Sequence, residues 1–226
     1  FSFFTEPKPF IEEFKDLDIS FTMVPVKNGD ETFWISRTEI TWDVYDTFLQ
    51  FINSRKNLDA GVDAVTGPTP AYALVDRGYG RSGYPAISMS AKAADSFVNW
   101  LSSKTGKKYT LPTIEQWKVA NAKGGTSWSK ANSEKKTHPV ATSEPNKLGI
   151  FDMQGNVGEW VLTKDGPRVI GGSFRTTQDE LGSKSLLTPI SGWNETDPQL
   201  PRSPWWLADA DFVGMRIVTK DGEENE

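Results

Sequence analysis

Beyond Gly125 no stretch of the chain repeats its apolar residues at helical spacing, and this constrains the fold more than any single motif. Short apolar pieces (Trp160-Val161-Leu162, Val169-Ile170 and Met215-Arg216-Ile217-Val218) stand between polar turns. Nine Trp and 19 Gly in 226 residues describe loops held together by aromatic packing rather than by long regular elements. No tandem repeat and no low-complexity tract interrupts this pattern.

Before Gly125 the signals are local and regular. Residues 1–18 mix Phe with Pro and charge and lack a clean period, which predicts an N-terminal arm that packs on a partner or on the domain itself. From Ile19 to Glu39 the residues are strand-like, and Asn28-Gly29 between two apolar runs signals a hairpin. Thr41 caps a helix carrying Val44, Tyr45, Phe48, Phe51 and Ile52 at 3.6 spacing. A long Gly/Pro loop over 54–84 follows, with Thr66–Pro70 and Arg77–Gly80 inside it, of a length that is functional or packed by its own aromatics. A second helix starts near Ser90, buries Ala94, Phe97, Val98 and Leu101, and ends before Gly106. A third opens at Thr113, with Gln116 completing a capping box, and runs to Gly124-Gly125. The predicted class is α+β: an arm (1–18), one domain (19–220) and a frayed acidic tail (221–226).

Composition removes several function classes. With no cysteine the chain has no disulfide, thiolate nucleophile, iron–sulfur cluster or cysteine zinc site. One histidine, His138, cannot build a three-histidine metal site; between Thr137 and Pro139 it reads as an exposed loop residue. Lys+Arg of 25 against Asp+Glu of 30 leaves a net charge of −5, against a dedicated nucleic-acid surface. No apolar run approaches the roughly 20 residues of a membrane span. No G-x-S-x-G elbow marks a serine nucleophile, and Gly78-x-Gly80 opens no phosphate-binding helix.

Ordered blocks along the chain carry a family resemblance. They are Arg37–Tyr45 with Phe48, Tyr84–Met89 followed by Ala94 and Trp100-Leu101, Thr105–Trp117 continued by Lys118–Gly125, Gly149–Trp160, Val169–Phe174 and Gly214-Met-Arg216. In this order, over roughly residues 20–218, the sequence resembles formylglycine-generating-enzyme-like (sulfatase-modifying factor) domains of bacterial type. The resemblance implies a variant of the C-type lectin fold, loop-rich, with a small twisted antiparallel sheet and flanking helices.

What it implies about chemistry is a separate matter, since one fold carries many functions. Family oxidases bind copper(I) through two cysteines just after the GGSF segment, and here those positions fall at Thr176 and about Leu181. A branch that uses histidine-held iron finds only His138. Copper, iron and zinc are therefore not expected as cofactors. The family's calcium loop maps onto the Asp152 side chain, the carbonyls of Gly155 and Val157, and the Glu159 carboxylate, so structural calcium is the expected ligand. The bland reading is that Asp152 and Glu159 satisfy backbone amides around a Gly-Asn turn. Glu39, Glu115 and Trp117 read as structural, and Arg216 as a partner for a buried carboxylate or carbonyl.

Residues 175–212 replace the family's catalytic loop. Arg175, Trp193, Trp205 and Trp206, with Pro189, Pro198, Pro201 and Pro204, suit ligand or partner binding, or else close the core. The expected function is a catalytically inactive, protein-binding or scaffold subunit of a larger assembly. A carbohydrate or peptide ligand-binding module is the alternative, and an enzyme of unrecognised, cysteine-independent chemistry the third. A first residue other than Met, taken with the family, gives the expectation of an extracytoplasmic (periplasmic or secreted) location.

Overall fold

A computed structural model describes residues 6–56 and 74–222; the Thr66–Pro70 part of the long loop and the end of the acidic tail lie outside the described residues. Helical structure fades where the sequence period fades. Past Ala120, among the described residues, only short 3-10 turns occur among strands and irregular chain.

β1 (Phe10–Phe14), β2 (Ile19–Asn28) and β3 (Glu31–Ser36) form an antiparallel meander. The β2–β3 turn is Gly29-Asp30, one residue beyond Asn28, because Asn28 still pairs with Glu31. Of the two expectations for the N-terminal arm, packing on the domain itself is what Phe10–Phe14 does, as an edge strand paired with β2. Phe10 is buried, Phe14 stacks on Trp100 at 6.3 Å, and Glu12 accepts from the Tyr109 hydroxyl (2.6 Å) and Lys107 Nζ (2.9 Å). Its charges hid the alternation: Phe10 and the paired Glu12 face inward while Ile11 and Glu13 face out.

Helix α1 (Trp42–Lys56) and helix α2 (Ala91–Thr105) supply the larger core, where Tyr45, Phe48, Phe97 and Trp100 meet at centroid distances of 5.5–5.7 Å. Ser90 accepts from Ala93 N at the start of α2, and Gly106 ends it in the left-handed region. β4 (Tyr109–Thr110) leads into α3 (Ile114–Ala120), whose Thr113–Gln116 capping box is complete. α3 stops at Asn121, earlier than the glycine pair suggested, because Asn146 Nδ2 takes the Ala120 carbonyl and redirects the chain.

β5 (Gly158–Thr163), β6 (Gly166–Gly171) and β7 (Gly182–Leu187) form a second sheet, joined by β8 (Val213–Gly214) parallel to β5. β9 (Val218–Thr219) returns to the first sheet between β3 and β4. The sheet orders are β1-β2-β3-β9-β4 and β7-β6-β5-β8. A smaller core packs Val24, Ile35, Trp117, Val161, Ile170 and Val218 from both sheets and α3. Because β8 and β9 lie in different sheets, the three residues Met215, Arg216 and Ile217 between them stitch the two together.

Candidate functional site

Arg216 sits in that stitch, wholly buried. Its Nε lies 3.1 Å from both Glu159 oxygens and its Nη2 2.9 Å from Glu159 Oε1; Nη1 and Nη2 also donate to the carbonyls of Ser36 and Phe151, each at 2.7 Å. Trp117 Nε1 donates to Glu159 Oε2 at 2.6 Å. The structural reading of Trp117 and Arg216 is what the geometry shows, and Glu159 joins them. Burial raises the Glu159 carboxyl above its ordinary value, while Arg216 and Trp117 pull it back. Glu39 is also buried there, and neither of its carboxylate oxygens has a hydrogen-bond partner. Burial, and then the Asp152 charge, raise its carboxyl well above the ordinary range against the opposing pull of Arg216.

Asp152, Gly155, Val157 and Glu159, the expected calcium set, are all buried, the first three in the turn before β5 and Glu159 on β5 itself. Gly155 has φ 93°, and a Cβ there would lie 2.4 Å from the Trp128 carbonyl, so the close approach requires glycine. The carboxylates, however, are engaged by the protein. Asp152 Oδ1 accepts from Ser143 Oγ (2.6 Å) and Oδ2 from Ala141 N (2.8 Å), while Glu159 faces Arg216 and Trp117. A calcium ion needs several oxygens free to turn toward it. As folded, this set does not fit one: every carboxylate oxygen already holds a donor, and a guanidinium supplies the positive charge. Among the described residues no group of three or more His, Asp or Glu side chains is placed to hold a metal. His138 differs from its expected exposure: it is half-buried, stacked on Trp128 at 3.7 Å, with its backbone N–H on Asn156 Oδ1 at 2.9 Å.

Thr176 and Leu181, at the positions of the family's cysteine pair, are built into the loop. Thr176 Oγ1 accepts from Ser173 N at 3.0 Å, and Leu181 is buried. Both pack over Gly172 (φ 78°), where a Cβ would come within 2.7 Å of Leu181 Cδ2. Nothing there offers a soft ligand or a redox-active atom.

The 175–212 loop resolves its two readings residue by residue. Trp193, Trp205 and Trp206 are all buried, at 8%, 3% and 5% exposure. Trp193 packs edge-on against Trp160 (6.1 Å) and Phe212 (5.4 Å), and Trp206 against Tyr45 (6.1 Å). Of the two roles open to these rings, closing the core is the one their burial matches, because the loop zips back along residues 88–90: Ser90 N donates to the Trp205 carbonyl and Leu207 N to that of Ser88. Arg175 is half-exposed and pairs with Asp211 at 2.6 Å, an oxygen pair completed by Tyr79 Oη at 2.8 Å.

Where this loop crosses residues 75–88 it leaves a cavity of about 290 Å³. Val75, Pro198, Trp206 and Leu207 form its apolar walls, with Arg77 and Ser88 among its polar lining. Ser88 is 1% exposed, its Oγ has no partner, and it is held at φ 67°. Arg77 spends Nη2 on the Ala208 carbonyl and leaves a buried Nε without a partner. The sequence marks neither as a polar lining residue: Arg77 opens the Arg77–Gly80 stretch of the long loop, and Ser88 lies in the Tyr84–Met89 block.

The profile of the sulfatase-modifying factor enzyme 1-like domain matches residues 22–186. The chain belongs to this family. Its fold is similar to the solved structures of Treponema denticola variable protein 1 (TM-score 0.63, 17% identity, 95% of this chain and 100% of that one) and of PvdO from Pseudomonas aeruginosa (0.62, 16%, 95% and 99%). It is likewise similar to the crystal structure of CarF (0.58, 21%, 89% and 98%). A serine/threonine-protein kinase pkn1 from Chlamydia caviae is 30% identical over 98 residues, 38% of this chain and 15% of the kinase. The chain thus spans a small fraction of that curated relative. These likenesses establish the lectin-like fold of the family. Among the described residues no helix is long and apolar enough to cross a membrane.

Proposed function

We propose that this family member is catalytically silent and works by binding, as an extracytoplasmic recognition or scaffold subunit of a larger assembly. The observation that carries the first half is the wiring of Thr176 and Leu181. The positions that hold copper(I) in the resembled oxidases are spent on a hydrogen bond to Ser173 and on core packing. Incubation with copper(I) and a cysteine-containing peptide, followed by mass spectrometry, is expected to return the peptide unoxidised. Formation of an aldehyde product overturns the reading.

The second half draws support from β7, which lies at the edge of its sheet. Leu186, Leu187 and Ile190 are exposed there, at 44%, 39% and 63%, beside a strand edge free to pair. This patch takes over the role that the N-terminal strand and the buried tryptophans were expected to play. Native purification should carry partner proteins, and Leu187→Glu should lose them while the fold persists. Retention of all partners in that variant removes β7 from the reading. The extracytoplasmic address rests on the family, and fractionation of the native source tests it.

A further inference from the structure

We propose that residues 1–5 of the chain fill the apolar groove between β2, α3 and Leu148, closing it with their phenylalanine side chains. The inference goes beyond the binding reading and stands on other residues, so neither outcome of its test bears on that reading.

The groove exists because the first strand stops short. β1 begins at Phe10, opposite Met23, while β2 continues to Asn28. Pro7 and Pro9 have no N–H to offer the ladder, so the chain before Phe10 leaves it and the end of β2 outruns β1. Trp34 Nε1 donates to the Lys8 carbonyl at 2.8 Å and fixes where that segment goes. The result is a groove of about 390 Å³ walled by Pro7, Pro25, Val119, Ala122 and Leu148, with Glu6 and Lys27 as its charged lining. Leu148 is 37% exposed, a large apolar side chain left open on this wall.

The chain itself supplies an occupant. Glu6 and Pro7, the first described residues, already line the groove, and Phe1, Ser2, Phe3, Phe4 and Thr5 precede them directly. Those five lie outside the described residues. A chain spans at most about 3.3–3.6 Å per residue, which sets a reach from Glu6 of roughly 7 Å for Phe4 and roughly 11 Å for Phe3. A cavity of about 150 Å³ accommodates benzene, so this groove has room for two such rings. None of the five carries a charged side chain, which matches the apolar walls, whereas the acidic end of the chain with Glu223, Glu224 and Glu226 does not. A segment tethered this closely acts at about millimolar effective concentration, so aromatic residues of any partner would have to displace it.

Calorimetric titration with a synthetic peptide of residues 1–5, amidated at its C-terminus, tests the groove on the full chain. A variant combining Phe1→Ser, Phe3→Ser and Phe4→Ser is expected to bind the peptide saturably, one to one. The unaltered chain should bind it about tenfold or more weakly, because its own segment competes at the effective concentration of a short tether. Adding Leu148→Glu to the serine variant should abolish binding with an unchanged melting temperature, since Leu148 is exposed and its backbone N–H keeps Asn146 Oδ1. The unaltered chain and the serine variant should sediment alike. Equal binding by the two chains, no saturable binding to the serine variant, or binding that persists with Leu148→Glu overturns the inference. A larger assembly of the unaltered chain that the serine variant takes apart also overturns it, and places the segment on a second copy instead.

Discussion

The Arg216 guanidinium closes on the Glu159 carboxylate with both side chains essentially out of solvent, 0% and 1% exposed, across 57 residues of chain. Glu159 lies on β5 and Arg216 between β8 and β9, so the pair ties the second sheet to the first. Its remaining donors hold the ends of β3 and the Phe151 turn. Taking two charges out of water is costly, and only the full set of hydrogen bonds makes the pair tolerable.

Removing one member should therefore cost far more than the pair is worth. Glu159→Gln or Arg216→Met is expected to destabilise by about 3–5 kcal/mol, because each leaves its partner's charge buried and uncompensated. The double variant should recover part of that loss. Urea unfolding of the two single variants and the double variant measures the coupling.

Glu39 makes stability depend on pH. Its folded carboxyl titrates well above its unfolded value, so the folded state holds the proton more tightly. The sign follows from linkage: the contribution is full below the ordinary carboxylate value and is lost as pH rises toward the raised folded value. Glu39→Gln, which never ionises, should gain melting temperature relative to the unaltered chain at pH 8 and little or none at pH 4. A constant difference across that range would show that Glu39 does not titrate with folding.

Chelation should leave the melt where it is. A ligand bound only to the native state stabilises by RT ln(1 + [L]/Kd), about 2.7 kcal/mol at a hundredfold excess over Kd. With the oxygens of Asp152 and Glu159 held by Ser143, Ala141, Trp117 and Arg216, no such term is expected from calcium. Scans in calcium and in excess EGTA should superimpose. A lower melting temperature in EGTA would mean that the turn opens its carboxylates to a cation.

The tryptophans of the 175–212 loop should behave as core residues. Trp193→Ala, which empties the contact with Trp160 and Phe212, is expected to cost about 3–5 kcal/mol. Thermal melts of this variant measure the loss, and an unchanged melting temperature would overturn the core role of Trp193.

The N-terminal strand shows where reading from sequence loses its grip. Glu12 disguises the inward face of Phe10–Phe14, because its burial makes sense only beside Tyr109 and Lys107, about a hundred residues later in the chain. Asp152 and Glu159 are legible as a conspicuous carboxylate pair, yet their partners come from Ala141, Ser143, Trp117 and Arg216, whose proximity no spacing rule encodes. Ser88 lay inside a recognised family block, but its missing partner is visible only once the walls around it are known.

What the sequence by itself determined was local or a matter of inventory. The capping box at Thr113 and Gln116, the Ser90 cap, the hairpin near Gly29 and the amphipathic faces of two helices depend on residues at most a few positions apart, where covalent geometry fixes the contacts. The absence of cysteine is likewise complete before folding, and it removes thiolate chemistry whatever the chain does next. Tertiary structure decided which tryptophans turn inward, which carboxylates are spent on the fold, and which donors are left over. Those outcomes depend on crossings between distant segments: the 88–90 and 204–207 stretches zip together, and β8 and β9 divide between two sheets. Burial and pairing belong to the assembled interior, so the same residue types acquire their roles only there.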